Sequence, residues 1–232
     1  IDRAYSPLET ARLKLDEFFK KNPNQKLAIA SEGSFFPHPE FIFATLNEEL
    51  LVFQDREKEI EVIVKHYSTK TNMASTEVSS IQEIKEFASK IGFPKHALIL
   101  KIQHDKSKIY KGITSKTDLI RIFTKLKKQF PDAKIVLETD MRACYNPTRM
   151  KQIGLAGKSL AKQLKANCPK CSTVGFGIKT FKKGLPCENC GTPTQLTLSH
   201  IYQCQKCNFE KEKHFPDIKK TAFAGYCLNC NP

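Results

Sequence analysis

Eight of the nine cysteines form four Cys-x-x-Cys pairs, Cys168/Cys171, Cys187/Cys190, Cys204/Cys207 and Cys227/Cys230, all after residue 167 of a 232-residue chain. Two such pairs supply four thiolates that close a tetrahedron around zinc, and the metal keeps them ionised by lowering their pKa. Four pairs therefore predict two structural Zn2+ sites. Disulfide frameworks space their cysteines differently, and a redox dithiol comes as one pair beside a βαβ unit. With a Cys at every ligand position these sites are closed, whereas a catalytic zinc keeps a position open. The surrounding segment is poor in aliphatic residues, so metal is its main source of stability. The ninth cysteine, Cys144, has no neighbouring His in sequence to make it a nucleophile. This thiol usage predicts a reducing, cytoplasmic setting.

The pairing of the knuckles is read from what lies between them. Cys187-Glu188-Asn189-Cys190-Gly191, followed by Thr194–Leu198 and Ile201–Cys204, has the form of a zinc ribbon, a hairpin between two knuckles. That favours a nested scheme, with Cys187, Cys190, Cys204 and Cys207 inside Cys168, Cys171, Cys227 and Cys230. The alternative is sequential, first pair with second and third with fourth. Lys179, Lys182, Lys183, Lys206, Lys211, Lys213, Lys219 and Lys220 suit a ribbon that binds nucleic acid, although a ribbon can equally be a brace or a dimer contact.

Composition changes abruptly at Asn167-Cys168, which divides the chain into an α/β domain (1–166), catalytic or ligand-binding, and a zinc-ribbon module (167–232). The net charge of +14 points to an anionic partner, a nucleotide-like phosphate or a nucleic acid, without distinguishing them. No apolar run is long enough to cross a membrane, no signal-peptide pattern is present, and a homo-oligomer is left open. The chain opens on Ile1-Asp2-Arg3 just before a helix cap, so a strand preceding residue 1 is expected.

Periodicity predicts helices over 7–21, 80–91, from a Ser115 cap, and from Pro147 to about 165. Strands are predicted at 26–31, 49–54, 60–66, 97–102 and 134–138, with a hairpin turn at 55–58. This alternation argues for a mixed-sheet, three-layer α/β domain. Ser31-Glu32-Gly33-Ser34 then reads as a loop after one strand, and Thr139–Met150 as a strand-to-helix turn after another. If those strands are parallel, Glu32 and Asp140 emerge at one sheet edge, where open α/β sheets bind ligands. Carboxylates there can hold Mg2+ or Mn2+, Arg142 and Arg149 can grip phosphate, and Gly33 and Ser34 let backbone amides approach an anion. Asn146 and Thr148 complete that binding set. The plainer alternative makes Asn146 a helix cap, Pro147 the first helical residue, and Asp140–Arg142 a structural ion pair. Lys111-Gly112 reads as a loop with a weak phosphate signal. Pro37-His38-Pro39 reads as a rigid exposed turn.

Two resemblances are carried by these motifs. Ala30-Ser31-Glu32-Gly33-Ser34-Phe35 with Pro37-His38-Pro39, Asn47-Glu48-Glu49-Leu50-Leu51, and Thr139-Asp140-Met141-Arg142-Ala143 with Asn146-Pro147-Thr148-Arg149-Met150 resemble an uncharacterised bacterial family of unknown function. Its members also carry a Cys-x-x-Cys-rich tail ending Cys-Asn-Pro, as at Cys230-Asn231-Pro232. More distantly, Glu9-Thr10-Ala11-Arg12, Glu32-Gly33 and Thr148-Arg149 are similar in order to motifs of the inosine/xanthosine triphosphatases. That likeness implies an inosine triphosphatase-like fold, with Glu32 a metal-holding or water-activating acid and Arg149 a phosphate contact. The expectation is a metal-dependent phosphohydrolase acting on a nucleotide-like phosphate, with Glu32 and Asp140 catalytic. The competing expectation is a non-enzymatic zinc-ribbon adaptor for nucleic acid or protein.

Overall fold

Helices begin where side chains take up the free amides of a first turn. The computed structural model of the protein describes residues 5–38 and 44–232; Pro39, the second proline beside His38, lies outside the described residues. Helix α1 (Pro7–Lys21) opens with the Ser6/Glu9 capping box. Helix α2 (Ile81–Ile91) is capped by Ser80 and stops at Gly92, whose φ of 78° suits glycine. Helix α3 (Lys116–Gln129) is capped by Ser115. Helix α4 (Pro147–Leu164) starts where Asn146 Oδ1 accepts the Arg149 amide at 3.0 Å. All four helices lie where periodicity and caps placed them.

The strands of the described residues divide among three sheets. Strands β1 (Leu27–Pro37), β2 (Thr45–Asp55) and β3 (Ile60–Ser68) form the first, in the order β1-β2-β3. The second joins β4 (Ser75–Glu77), β5 (Leu98–Ile102), β6 (Ile109–Ile113) and β7 (Ile135–Thr139) in the order β4-β7-β5-β6. The third contains β8 (Gly177–Lys183), β9 (Thr197–Gln203) and β10 (Glu210–His214), with β9 central.

The expected mixed sheet is corrected here. Strand β7 runs antiparallel to β4 and to β5, and β5 runs antiparallel to β6. The connection β6–α3–β7 is the helical crossover that a parallel pair would use, but β5 lies between the two strands and pairs with each. Residues 109–113, read from sequence as a loop around Lys111-Gly112, supply the strand β6 that completes this arrangement.

By contacts the chain divides into two compact units, one of Ile1–Ala30, Leu51–Val64 and Lys158–Pro232, the other of Ser31–Leu50 and Lys65–Gly157. In the second unit Leu98, Leu100, Ile102, Ile135 and Leu137 alternate onto one sheet face and pack with Ile84 and Ile91 of α2 and Leu119, Phe123 and Leu126 of α3. Each such fully buried side chain contributes about 1.5–3 kcal/mol. The residues between them point the other way, where Lys101 and Glu138 pair at 2.6 Å. In the first unit Arg12 of α1 reaches Glu61 of β3 at 2.6 Å, and the Arg56 guanidinium lies 4.1 Å from the Phe19 ring centre. No described helix is long and apolar enough to cross a membrane.

Candidate functional site

Strand β7 ends by burying Asp140 completely. A buried carboxylate needs donors on both oxygens. Arg142 supplies its backbone amide at 3.1 Å, Nε at 3.0 Å and Nη2 at 2.6 Å, and Gly112 of β6 adds its amide at 3.0 Å. Burial raises the Asp140 pKa, but these donors and the Arg142 charge outweigh it and hold the carboxyl below its ordinary value. The half-exposed Arg142 guanidinium lies 4.5 Å from the centre of the Tyr145 ring. Gly112, at φ 71°, is required here: a Cβ would sit 2.9 Å from Tyr145 and 3.1 Å from Arg142.

In the first turn of α4, Arg149 forms a second clamp. Its Nε and Nη2 meet the Glu49 carboxylate at 2.7 and 3.2 Å, and Nη1 donates to the Met141 carbonyl at 2.7 Å. Asn47 donates to Glu49 at 3.0 Å, while the buried Asn146 amide donates to Asn72 Oδ1 at 2.8 Å. Thr148 hydrogen-bonds His96 Nε2 at 2.9 Å. Three buried side-chain atoms of this neighbourhood, Asn47 Oδ1, Asn72 Nδ2 and His96 Nδ1, have no hydrogen-bond partner among the described residues.

Glu32, Gly33 and Ser34 do not form the expected loop, because β1 continues through them to Pro37. Glu32 and Ser34 are half-buried within that strand. The sheet-edge argument is corrected with it: β1 and β7 belong to different sheets, and β7 has only antiparallel neighbours. The order of the strand explains Gly33. A Cβ there would overlap the Arg149 guanidinium and lie 2.8 Å from Glu49, so glycine is what lets the ion pair cross the strand. The structure thus brings Gly33, Asn146 and Arg149 together, with Asp140 linked to them through its own carbonyl, which accepts from Asn146 at 3.3 Å. Sequence reasoning missed Glu49 as their partner. A carboxylate inside the buried run Asn47–Val52 was the signal available.

The eight knuckle cysteines gather into two clusters that could hold zinc: Cys168, Cys171, Cys204 and Cys207, and Cys187, Cys190, Cys227 and Cys230. Within each cluster the sulfurs all lie within 4.8 Å of one another. Two sulfur pairs in each cluster are 3.5–3.8 Å apart, near the edge of about 3.8 Å expected for a tetrahedron with 2.3 Å Zn–S bonds. Both the nested and the sequential schemes are corrected. The seven-residue strand β9 lies between the second knuckle and the third and spans about 20 Å of extended chain, so those two fall in different clusters. Strands β8, β9 and β10 each carry the chain from one end of the sheet to the other, which groups first with third and second with fourth.

Each knuckle repeats one local design. The carbonyls of Cys168, Cys187, Cys204 and Cys227 accept the amides of Ser172, Gly191, Asn208 and Asn231 at 2.8–3.0 Å. Ser172, Gly191 and Asn208 take φ of 58°, 71° and 56°, a region suited to Gly and Asn. Thr173 lowers the Cys171 pKa to about 6, and Thr192 lowers that of Cys190 to about 5. Cys190 and the other neighbouring thiols push Cys230 up to about 12. Cys207 is pulled down by the Phe209 amide, yet burial and the adjacent sulfurs raise it to about 12. Four crowded thiols ionise together only with a cation to balance them, a charge that a zinc ion held there would supply.

The third sheet has two unlike faces. Cross-strand register puts Ile178, Tyr202 and Lys211 in one row and Phe181, His200 and Lys213 in the next row of the same face. Phe181 is 60% exposed and Ile178 42%. The opposite face carries the carboxylates: Glu210 accepts from Gln203, and Glu212 meets Ser199, Lys182 and His214. Gly177 on that same face abuts Gln163 of α4 so closely that a Cβ would overlap its amide. The sequence reading named the lysines. It missed the aromatic rows, whose signal was the alternation of His200 and Tyr202.

A family model described as a domain of unknown function, DUF6671, matches residues 19–232. No curated protein and no solved structure matches the chain.

Proposed function

The chain belongs to the DUF6671 family of domains of unknown function, and from that footing we propose that it is a nucleic-acid-binding protein whose binding sheet is organised by two structural zinc ions. The observation that carries the reading is the segregation of charge on the third sheet. Lys211 and Lys213 share their face with aromatic and apolar side chains, while Glu210 and Glu212 lie on the other. A face that pairs cations with the exposed Phe181 ring and the half-buried His200 and Tyr202, free of carboxylates in those rows, suits a polyanion with flat bases. Zinc at both ends of the sheet fixes the three strands that carry it. The test is fluorescence anisotropy of the full-length, zinc-loaded chain with labelled oligonucleotides between 50 and 200 mM salt. Affinity should fall steeply with salt, by roughly 0.7–0.9 log units per log unit of salt for each phosphate neutralised. Absent or salt-insensitive binding overturns the reading.

A second reading is metal-dependent hydrolysis of a nucleotide-like phosphate, related to the inosine/xanthosine triphosphatases. It would use Glu32 and Asp140 as acids, Mg2+ or Mn2+, and Gly33, Ser34, Arg142, Asn146, Thr148 and Arg149 around the phosphate. The unpartnered Asn47 Oδ1 and Asn72 Nδ2 favour it, since buried polar atoms beside an ion-pair network can bond a ligand. Nucleoside triphosphates with either metal provide the screen. Turnover unchanged in Glu32→Gln and Asp140→Asn would remove those residues from catalysis.

A further inference from the structure

Resting on the nucleic-acid reading above, we propose that the carboxylate-free face of the β8–β9–β10 sheet takes single strands in preference to duplex, stacking one base on Phe181 while Lys211 and Lys213 hold the phosphates.

Geometry sets the preference for a single strand. The rows Ile178–Tyr202–Lys211 and Phe181–His200–Lys213 are two residues apart along β9, about 7 Å. Stacked bases are about 3.4 Å apart along a strand. A base laid on Phe181 therefore keeps no stacked neighbour on the adjacent row and must leave its own stack to meet the ring, which a duplex resists and a single strand allows. Across the sheet, β10 and β8 are separated by two strand spacings, about 10 Å. Phosphates over the β10 lysines would leave their bases pointing toward β8.

Phe181 is the ring built for that contact. His200 meets it edge-on, with centroids 5.0 Å apart and planes at 82°, which steadies the ring. Tyr202 is already stacked by Phe176 at 5.8 Å. Lysines alone are an ordinary guard on an edge strand, but that role does not account for an aromatic ring left 60% exposed across β9 in the row of Lys213. The segment 167–232 contains no Arg. Lysines act as point charges and do not read base edges as a guanidinium fork does, so binding should be tolerant of sequence.

The experiment compares a labelled single strand with its duplex on the full-length protein loaded with two zinc ions. The single strand should bind at least tenfold more tightly, and homopolymers of different base should agree within a few-fold. Phe181→Ala should weaken single-strand binding about tenfold and leave duplex binding and zinc content unchanged; Phe181→Tyr should restore it. Equal binding of both forms, or no effect of Phe181→Ala, overturns stacking while general nucleic-acid binding stands. Failure of the zinc-loaded protein to bind either form at low salt overturns both.

Discussion

Asp140 and Arg149 invite the same reading from sequence, one acid and one base beside a turn, yet each is held by a partner the local sequence does not show. Asn146 as cap and Pro147 as first helical residue were legible because capping is chemistry among near neighbours. The partner of Arg149 lies 100 residues away on β2, and only the fold connects them. Asp140→Asn should lower stability by about 1–3 kcal/mol, since a buried charged acceptor is lost while the half-exposed Arg142 is screened by water. The sign with pH follows from the lowered carboxyl. Below the ordinary Asp value near 4 the unfolded chain takes up the proton first, so this contribution is complete above pH ~4 and fades as pH falls through the lower folded value. Urea midpoints of the parent and variant between pH 2 and 6 should therefore converge at the acid end. Gly33→Ala, which drives a methyl into the Arg149–Glu49 pair, should cost on the order of 2–4 kcal/mol in the same assay.

At the scale of elements, helices were legible and sheet order was not. Ser6, Ser80, Ser115 and Asn146 each announce a helix start, whereas nothing between 98 and 139 shows that β5 sits between β6 and β7. The knuckle pairing failed for a related reason. Thr194–Leu198 and Ile201–Cys204 read as a hairpin between the second and third knuckles, whereas β9 is one full crossing of the sheet. The crossed pairing is checked by zinc counting. Cys168→Ser with Cys204→Ser should leave one zinc per chain in native mass spectrometry, because both belong to one cluster. Either rejected scheme would lose both ions. Cys168→Ser with Cys187→Ser should empty both clusters, as the nested scheme also requires but the sequential one does not.

With zinc held in both clusters as proposed, the whole molecule draws its stability from two sources. The unit containing α2 and α3 has an apolar core of its own, while the segment of β8, β9 and β10 depends on its cysteine clusters. A strong chelator at neutral pH should therefore abolish nucleic-acid binding and the protection of amides in 168–231, yet leave slow hydrogen exchange in β5 and β7. The composition and cysteine spacing made that second source legible; the +14 charge did not say where an anion would sit, because the relevant lysines are selected by register. The crossed clusters also make the segment tolerant of damage. The spans 168–207 and 187–230 overlap, so with both metals bound a single backbone cut between 171 and 227 is bridged by at least one of them. A cut within β9 is bridged by both. A nicked chain should then migrate as one particle until the metal is stripped, and only afterwards come apart into its fragments.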